Sequence, residues 1–142
     1  MQVETILQSK GTVVHTVSAG APVSAAVDIL NQRRIGAVVV VDDKGAVAGI
    51  LSERDIVRHM KGDCAALLAQ PVSSIMTSTV ITCSRDTAVS ELMEQMTRYR
   101  IRHIPIVENG ELVGIVSIGD VVKRKIEETE QEALALREYI AS

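Results

Sequence analysis

The chain has 142 residues, of which 46% are hydrophobic and 23% are charged, the composition of a globular domain that can bury a sizeable core. Its formal net charge is −3 and it contains neither Trp nor Phe. A nucleic-acid surface needs a basic stripe and usually stacking aromatic side chains. Composition therefore argues against a nucleic-acid partner, and any bound anion must meet cations that the fold gathers locally.

Residues 1–11 carry no basic leader or long apolar stretch, and the strongest apolar run, residues 37–41, is too short to span a bilayer. We therefore expect a cytoplasmic protein that makes no membrane contact. Cys64 and Cys83 lie at unrelated positions, with no C-x-x-C and no His at ligand spacing. Their placement predicts reduced thiols, without a disulfide or a zinc site.

Hydrophobic periodicity and turn residues predict a regular series of elements in the first half of the chain. In chain order they are a strand at residues 12–17, a helix at 23–34, a hairpin with strands at 37–41 and 46–51, and a short helix that opens at Ser52. Residues 61–70 read as a connection. With an N-terminal helix, these elements form a first repeat over residues 1–70.

The second half, residues 71–142, predicts the same order again. Its elements are a short helical piece at 72–76, a strand at 80–83, a helix at 86–100, hairpin strands at 104–107 and 112–116, and a last helix from Ser117 to Ile140. At about 30 Å this last helix is longer than a compact half needs. Val122, Ile126, Leu136 and Ile140 could meet a neighbouring subunit, and packing on the same chain is the alternative.

One motif occurs twice: residues 49–55 read GILSERD, and 65 residues later residues 114–120 read GIVSIGD. A recurrence at this distance indicates two copies of one supersecondary unit. Each copy is too small for a secure core of its own, so the two should share a buried face. The sequence predicts a mixed α/β (α+β) fold of two β-α-β-β-α repeats around a pseudo-twofold axis, followed by a long C-terminal helix.

The Ser and Asp of the motif admit two interpretations. The pattern S-x-x-D is a capping box, in which Ser52 or Ser117 bonds free N–H groups at a helix start. Alternatively, the two helix starts converge on a groove that favours phosphate. Asp55 and Asp120 would then bind the neighbouring hydroxyls of a ribose through their two carboxylate oxygens.

The paired motifs, together with residues 102–107 (RHIPIV) before the second hairpin, resemble a cystathionine-β-synthase (CBS) domain pair, also called a Bateman module. The resemblance covers the chain from about Val14 to Lys125. It implies clefts between the β-sheets that bind adenosine nucleotides, with AMP first and ADP, ATP, NAD(H) and S-adenosylmethionine as further ligands. It also implies a homodimer of CBS pairs that acts on an effector protein.

By the same resemblance, each part of the nucleotide has candidate contacts. Asp55 and Asp120 would hold riboses, Ser52 and Ser117 would lie near phosphate, and Thr16 and Thr82 would read the base edge. Ala37, Val38, Ile104 and Pro105 match the aliphatic clamp around adenine. Arg54, Arg102 and His103 come from different copies and are expected around phosphates near the centre, which predicts two nonequivalent sites.

These features favour a non-catalytic nucleotide sensor with no catalytic cofactor and no metal. An enzyme that processes the bound nucleotide is a second hypothesis, in which His103 is the candidate acid or base; the familiar catalytic motifs are missing from the sequence. In a third, the protein is purely an interaction module that works through its long terminal helix.

Overall fold

The computed structural model describes all 142 residues as two similar α/β units and a long terminal helix. In chain order the elements are α1 (Val3–Lys10), β1 (Thr16–Ser18), α2 (Val23–Arg33), β2 (Ala37–Val41), β3 (Val47–Ser52), α3 (Glu53–Arg58), α4 (Cys64–Ala69), a 3-10 turn (Val72–Ser74), α5 (Val89–Tyr99), β4 (His103–Glu108), β5 (Glu111–Ser117) and α6 (Ile118–Ala141). The predicted mixed α/β fold with a long C-terminal helix is confirmed.

Each repeat is organised around one antiparallel hairpin. In the first, β2 pairs with β3 and β1 adds a parallel edge strand, in the order β1-β2-β3. In the second, β4 pairs with β5, and both hairpins carry a register shift near their turn, between Val40 and Val41 and between Ile106 and Val107. The two hairpins therefore share pairing and irregularity, as copies of one unit should.

The strand predicted at residues 80–83 is not formed. Only one bridge remains there, in which Cys83 N–H donates to the Pro105 carbonyl and Val107 N–H donates to the Cys83 carbonyl. The bridge pairs Cys83 with Ile106. The equivalent residues of the first repeat, Val17 and Val40, pair in the same way. The second sheet thus keeps two strands because its edge is held at a single residue.

Each repeat is preceded by a short segment, α1 before the first and residues 72–76 before the second, and each segment packs in the core of the other repeat. We call these two stretches the lead segments. Val3, Ile6 and Leu7 of α1 are buried with the second repeat's residues, whereas Val72 and Ile75 are buried with the first repeat's. Backbone hydrogen bonds follow the same pattern: Val3 N–H donates to the Thr87 carbonyl oxygen, and Val72 N–H donates to the Ala21 carbonyl oxygen. α1 lies within residues 1–70, which the sequence predicts as the first repeat, but it packs in the core of the second repeat.

Helix ends also match between the repeats. Arg34 ends α2 and Arg100 ends α5, both with left-handed backbone at φ of 53° and 54°.

The predicted connection at residues 61–70 contains a short helix, α4, which Asp63 caps by accepting from two backbone N–H groups. Among the helices, none combines the length and the apolarity needed to cross a bilayer.

Candidate functional site

Both repeated motifs fold as capping boxes. Ser52 Oγ accepts from Asp55 N–H, and Asp55 Oδ2 accepts from Ser52 N–H at 2.9 Å. The second motif repeats this arrangement, with Ser117 N–H donating to Asp120 Oδ2 at 2.8 Å. The capping interpretation is confirmed for both pairs, and each box leaves the Oδ1 atom of the aspartate outside the cap.

The glycine of each motif lies where another segment approaches closely. A Cβ on Gly49 would lie 2.9 Å from the Thr77 carbonyl oxygen and 2.5 Å from Met76 Sδ, and one on Gly114 would lie 2.8 Å from Leu7 Cδ2. Ile50 and Thr77 exchange both backbone hydrogen bonds at 2.9 Å. The lead segments that cross between the cores therefore run directly over the two motifs.

A cleft of about 240 Å³ opens beside Asp55 and combines residues of both repeats. Its first-repeat wall contains the start of β2, the end of β3 and the exposed side of α3; its other wall is the segment from α5 to β4. The lining residues are Gly36, Ala37, Ile50, Ser52, Glu53, Arg54, Asp55, Arg58, Thr77, Arg100, Ile101, Arg102 and His103. The predicted meeting of Arg54, Arg102 and His103 is observed here.

Charge in this cleft is predominantly positive. Four exposed arginines line it, at positions 54, 58, 100 and 102, against the two carboxylates of Glu53 and Asp55. Asp55 is only 9% exposed, and its Oδ1 accepts a long hydrogen bond of 3.3 Å from Thr77 Oγ1. The cleft therefore offers a buried carboxylate surrounded by exposed cations, which suits a ligand with hydroxyls at one end and negative charge at the other.

The equivalent aspartate in the second repeat is engaged differently. Lys10 Nζ, at the end of α1, donates to Asp120 Oδ2 at 2.5 Å and to the Ile115 carbonyl oxygen at 2.7 Å. Burial alone would raise the pKa of Asp120, but the hydrogen bonds from Lys10 and the Ser117 N–H outweigh it and lower that pKa. Asp120 is thus a charged carboxylate with a cationic partner from its own chain.

His103 lies where the two repeats meet. Its ring packs over Gly36 of the first repeat, where a Cβ would come 3.3 Å from His103 Cε1. Burial lowers the pKa of His103, and the charges of Lys10 and Arg102 lower it further against the opposing effect of Asp120 and Glu53. The ring is therefore neutral near pH 7 and supplies a hydrogen-bonding group to the cleft rather than a positive charge.

The aliphatic residues expected to clamp adenine divide between two faces of the strands. Ala37 lines the cleft, but Val38 is fully buried in the core of the first repeat and Ile104 in that of the second. Neighbouring residues of a strand point to opposite faces, so Pro105 shares the face of His103 rather than that of Ile104. The side chains of Val38 and Ile104 are accordingly part of the cores and not of the cleft.

The two threonines lie away from the Asp55 cleft. Thr16 is exposed in a separate depression beside the hairpin turns, with Lys44 and Gly110, and Thr82 is exposed next to the Cys83 bridge. Ser117 and Asp120 also lie outside the lining of this cleft. The structure therefore groups Ala37, Ser52, Arg54, Asp55, Arg102 and His103, and it separates the remaining predicted residues from them.

Sequence reasoning missed three cations near the motifs: Arg58 and Arg100, which line the cleft, and Lys10. Arg58 lines the cleft and follows Arg54 by one helical turn, a spacing that places both on the same side of α3. Lys10 was missed because α1 was grouped with the first repeat. A signal existed: Val3, Ile6 and Leu7 recur 69 residues later as Val72, Ile75 and Met76, so the lead segment is itself part of the repeat.

Comparisons with known proteins agree with this geometry. The family model named CBS domain matches the chain twice, over residues 11–62 and 72–127. The mitochondrial CBS domain-containing protein CBSX3 of Arabidopsis thaliana is 39% identical over 119 residues, which are 81% of this chain and 58% of that protein. The chain thus spans just over half the length of this relative. The protein YhcV of Bacillus subtilis is 32% identical over 78% of this chain and 77% of its own length.

Solved structures give the same assignment. A CBS-domain containing protein from Agrobacterium tumefaciens is 46% identical, with a TM-score of 0.83 over 87% of this chain and 92% of that one. The CBS domain pair of protein MJ0100, solved in complex with 5-methylthioadenosine and S-adenosylmethionine, is 26% identical, with a TM-score of 0.78 over 90% of this chain and 98% of that one. Two family matches cover most of the sequence, and this protein therefore belongs to the CBS domain family, with two CBS domains in tandem.

Proposed function

We propose that this protein is a non-catalytic sensor that binds an adenine nucleotide in the Asp55 cleft and passes the binding event to a partner protein. AMP is the first ligand to test, and ADP, ATP and NAD(H) are the alternatives. One observation carries the proposal: a buried carboxylate and four arginines, drawn from both repeats, line a single cleft. A ligand that contacts both walls of this cleft would stabilise one relative arrangement of the repeats.

Asp55 can cap its own helix and bind a ribose at the same time. Its Oδ2 accepts from Ser52 within the capping box, whereas Oδ1 makes only the 3.3 Å contact with Thr77. A ribose hydroxyl could replace the Thr77 hydroxyl at Oδ1 without disturbing the cap. The two interpretations of the motif, cap and ribose site, are therefore compatible in the first repeat.

The arginines support an anionic ligand with its phosphate toward solvent. At about 240 Å³ the cleft is smaller than the ~300–1,000 Å³ usual for pockets that enclose a ligand. A nucleotide would be enclosed at its ribose and would extend its phosphate between Arg54 on α3 and Arg102 before β4. The exposed guanidinium groups can follow a phosphate chain of variable length, so the cleft fits AMP, ADP and ATP alike.

The engagement of Asp120 by Lys10 favours unequal sites. A ribose at Asp120 would compete with an ammonium group already bound there, whereas Asp55 has only a neutral hydroxyl to exchange. We accordingly expect the first nucleotide to bind at Asp55. The complex of protein MJ0100 with two adenosine derivatives, 5-methylthioadenosine and S-adenosylmethionine, makes both compounds reasonable additions to the ligand panel.

The test is titration calorimetry of the purified protein with AMP, ADP, ATP, NAD(H) and the two adenosine derivatives, together with native mass spectrometry of protein prepared without added ligand. In the Asp55→Asn variant the loss of a charge-assisted hydrogen bond of about 1.5–3 kcal/mol should weaken AMP binding roughly 10- to 150-fold. Asp63→Asn, which alters a helix cap outside the cleft, is the matched control. Unchanged affinity in Asp55→Asn, or no binding of any of these ligands, would contradict the proposal.

A nucleotide-processing enzyme is the alternative that the same protein sample can test. His103 lines the cleft and is neutral near pH 7, so its imidazole has a nitrogen able to accept a proton. Steady release of phosphate or adenosine from AMP or ATP, lost in His103→Ala, would replace sensing by catalysis. A nucleotide recovered intact after long incubation with the protein would support sensing.

A further inference from the structure

The distal half of α6 exposes large aliphatic side chains that its own chain does not cover. Its residues nearest the body, Val121, Arg124 and Glu128, are buried or half-buried, whereas every residue from 129 to 142 is exposed. Leu136 and Ile140 are 59% and 74% exposed. A helix that projects about 21 Å beyond its body with such side chains has an unpartnered apolar face.

These side chains follow a heptad pattern. Starting at Val122, alternating steps of four and three residues give Val122, Ile126, Thr129, Ala133, Leu136 and Ile140. Four of the six are large aliphatics, and the pattern is that of the a and d positions of a coiled coil. We call this row of six residues the α6 seam. It lies roughly 100° around the helix from Val121, which packs on the body, so the seam remains accessible.

Charges flank the seam in a complementary way. Lys125 and Glu132 occupy g positions, and Glu130 and Arg137 occupy e positions. In a parallel coiled coil each g residue lies opposite the following e residue of the other helix, and such pairs set orientation. Lys125 would face Glu130 of the partner subunit, and Glu132 would face Arg137 of the partner subunit. Both pairs are attractive, and each occurs twice by symmetry.

An antiparallel pairing with the same overlap is unfavourable. It would place Glu130 against Glu130 of the partner subunit, and Glu132 against Glu132 of the partner subunit. Lys123 would then lie near Arg137 of the partner subunit. Every flanking ionic contact would join like charges, which is a repulsive arrangement at short range. The charge pattern therefore distinguishes the two orientations and selects the parallel one.

We propose that two copies of this chain associate through the α6 seam as a parallel, in-register two-stranded coiled coil. The seam is short for an isolated coiled coil, but α6 is already nucleated by the Ser117 capping box, and its first half is held on the body. A groove of about 710 Å³ runs beside the start of the seam and is open to a second helix there. Its lining includes Arg102, Val122, Lys123 and Ile126.

The association is measured by sedimentation equilibrium of the full chain over a micromolar to millimolar range. Wild-type protein should be a dimer, and Ile126→Glu with Leu136→Glu should be a monomer, because four carboxylates would be buried in the interface. Leu134→Glu is the matched control: Leu134 is 56% exposed on the same helix, but on the side away from the seam. Thermal unfolding of each variant checks that the body remains folded.

Two outcomes of this measurement overturn the proposal. A wild-type protein that stays monomeric across the range has no seam contact, and a dimer that persists in the double variant uses another surface. Charge reversal adds an independent measurement. Arg137→Glu should weaken the dimer by placing two acidic residues together, and Glu132→Arg combined with Arg137→Glu should restore it. Failure of the combined change to restore association would also contradict the pairing.

Orientation is read from disulfide cross-linking in a Cys64→Ser background, which removes the exposed native thiol. With Ile140→Cys, a parallel in-register dimer brings the two introduced thiols together and gives a covalent dimer on oxidation. A mixture of Ile140→Cys and Val122→Cys chains would form the mixed disulfide only in an antiparallel dimer. Cross-linking in the mixture, without cross-linking of Ile140→Cys alone, would overturn the parallel arrangement.

Discussion

Lys10 and Asp120 join the helix that leads into the first repeat to the motif of the second. Lys10 Nζ lies 2.5 Å from Asp120 Oδ2, and the two side chains are 28% and 25% exposed. The same ammonium bonds the Ile115 carbonyl oxygen, so it contacts both the end of β5 and the first turn of α6. An internal cation therefore occupies the carboxylate that the sequence predicts as the second ribose site.

Removing this cation should make the second site available. We predict that Lys10→Met increases the number of nucleotides bound per chain from one toward two, because Asp120 loses its competitor. Unfolding by urea should show a loss of up to about 1 kcal/mol, the usual range for a partly exposed ion pair. Calorimetric stoichiometry is the decisive measurement.

Arg85→Met is the control for this prediction. Arg85 bonds Glu4 at 2.9 Å and so provides another tether between α1 and the second repeat, without contact to Asp120. Its loss should leave the stoichiometry at one. If Lys10→Met also remains at one, with unchanged affinity, the ammonium is a structural tether and not a competitor.

The cleft arginines should act on the phosphate and not on the nucleoside. We predict that Arg102→Gln weakens AMP binding about tenfold, the loss of one charge-assisted contact of roughly 1.5 kcal/mol, and leaves adenosine binding unchanged. Arg98→Gln is the control, since Arg98 lines a different groove beside α5. An equal loss for AMP and adenosine would mean that Arg102 shapes the cleft rather than contacting phosphate.

The parts of this fold that the sequence predicts well are those with strong local signals. Both hairpins, the helices between them and the Ser-x-x-Asp caps follow from periodicity and turn chemistry within a few residues of each position. The crossing of the lead segments does not, because it depends on a contact between Leu7 and Gly114, which are more than a hundred residues apart. The strand predicted at residues 80–83 was wrong for a related reason. The local sequence favours an extended backbone, but it does not show how many residues of a neighbouring strand lie close enough to pair with it.

The prediction of the candidate site was wrong where it did not consider which face of a strand each residue occupies. Residues 37–38 and 104–105 were assigned to the cleft as pairs, but successive strand residues point to opposite sides, so one of each pair had to lie in a core. Arg54 and Arg102 were predicted because the other repeat has no arginine at the corresponding position. The recurrence of the α1 pattern 69 residues later marks the segment of Lys10 as part of the repeat, but it does not show on which core α1 packs.

Acidification should destabilise the protein through His103. In the folded chain burial and the charges of Lys10 and Arg102 lower the pKa of His103, whereas the unfolded chain has the ordinary value of about 6.5. As the pH falls below that value, the unfolded chain takes up a proton that the folded chain does not, so the free energy of unfolding falls until the folded pKa is passed. Urea titrations between neutral and mildly acidic pH measure this slope.

His103→Gln should flatten the slope, because it removes the titrating group while keeping a polar side chain over Gly36. His15→Gln, which changes a histidine outside the cleft, is the comparison variant. A slope that His103→Gln leaves intact would assign the acid sensitivity to other groups. Nucleotide binding should act in the opposite direction, since a phosphate nearby stabilises the protonated ring and couples binding at mildly acidic pH to proton uptake.

The close approaches at the two motif glycines should be unequally sensitive to a methyl group. In Gly49→Ala the new Cβ would meet the Thr77 carbonyl, a backbone atom held by hydrogen bonds to Ile50, so we predict a loss of about 1–3 kcal/mol in the free energy of unfolding. In Gly114→Ala the neighbour is the end of the Leu7 side chain, which can change rotamer, and the loss should be smaller. Gly20→Ala, with open space around the added carbon, should stay within about 0.5 kcal/mol of wild type. Urea unfolding of the three variants gives the order, and an equal cost at Gly49 and Gly114 would show that the Leu7 contact is as rigid as the backbone contact.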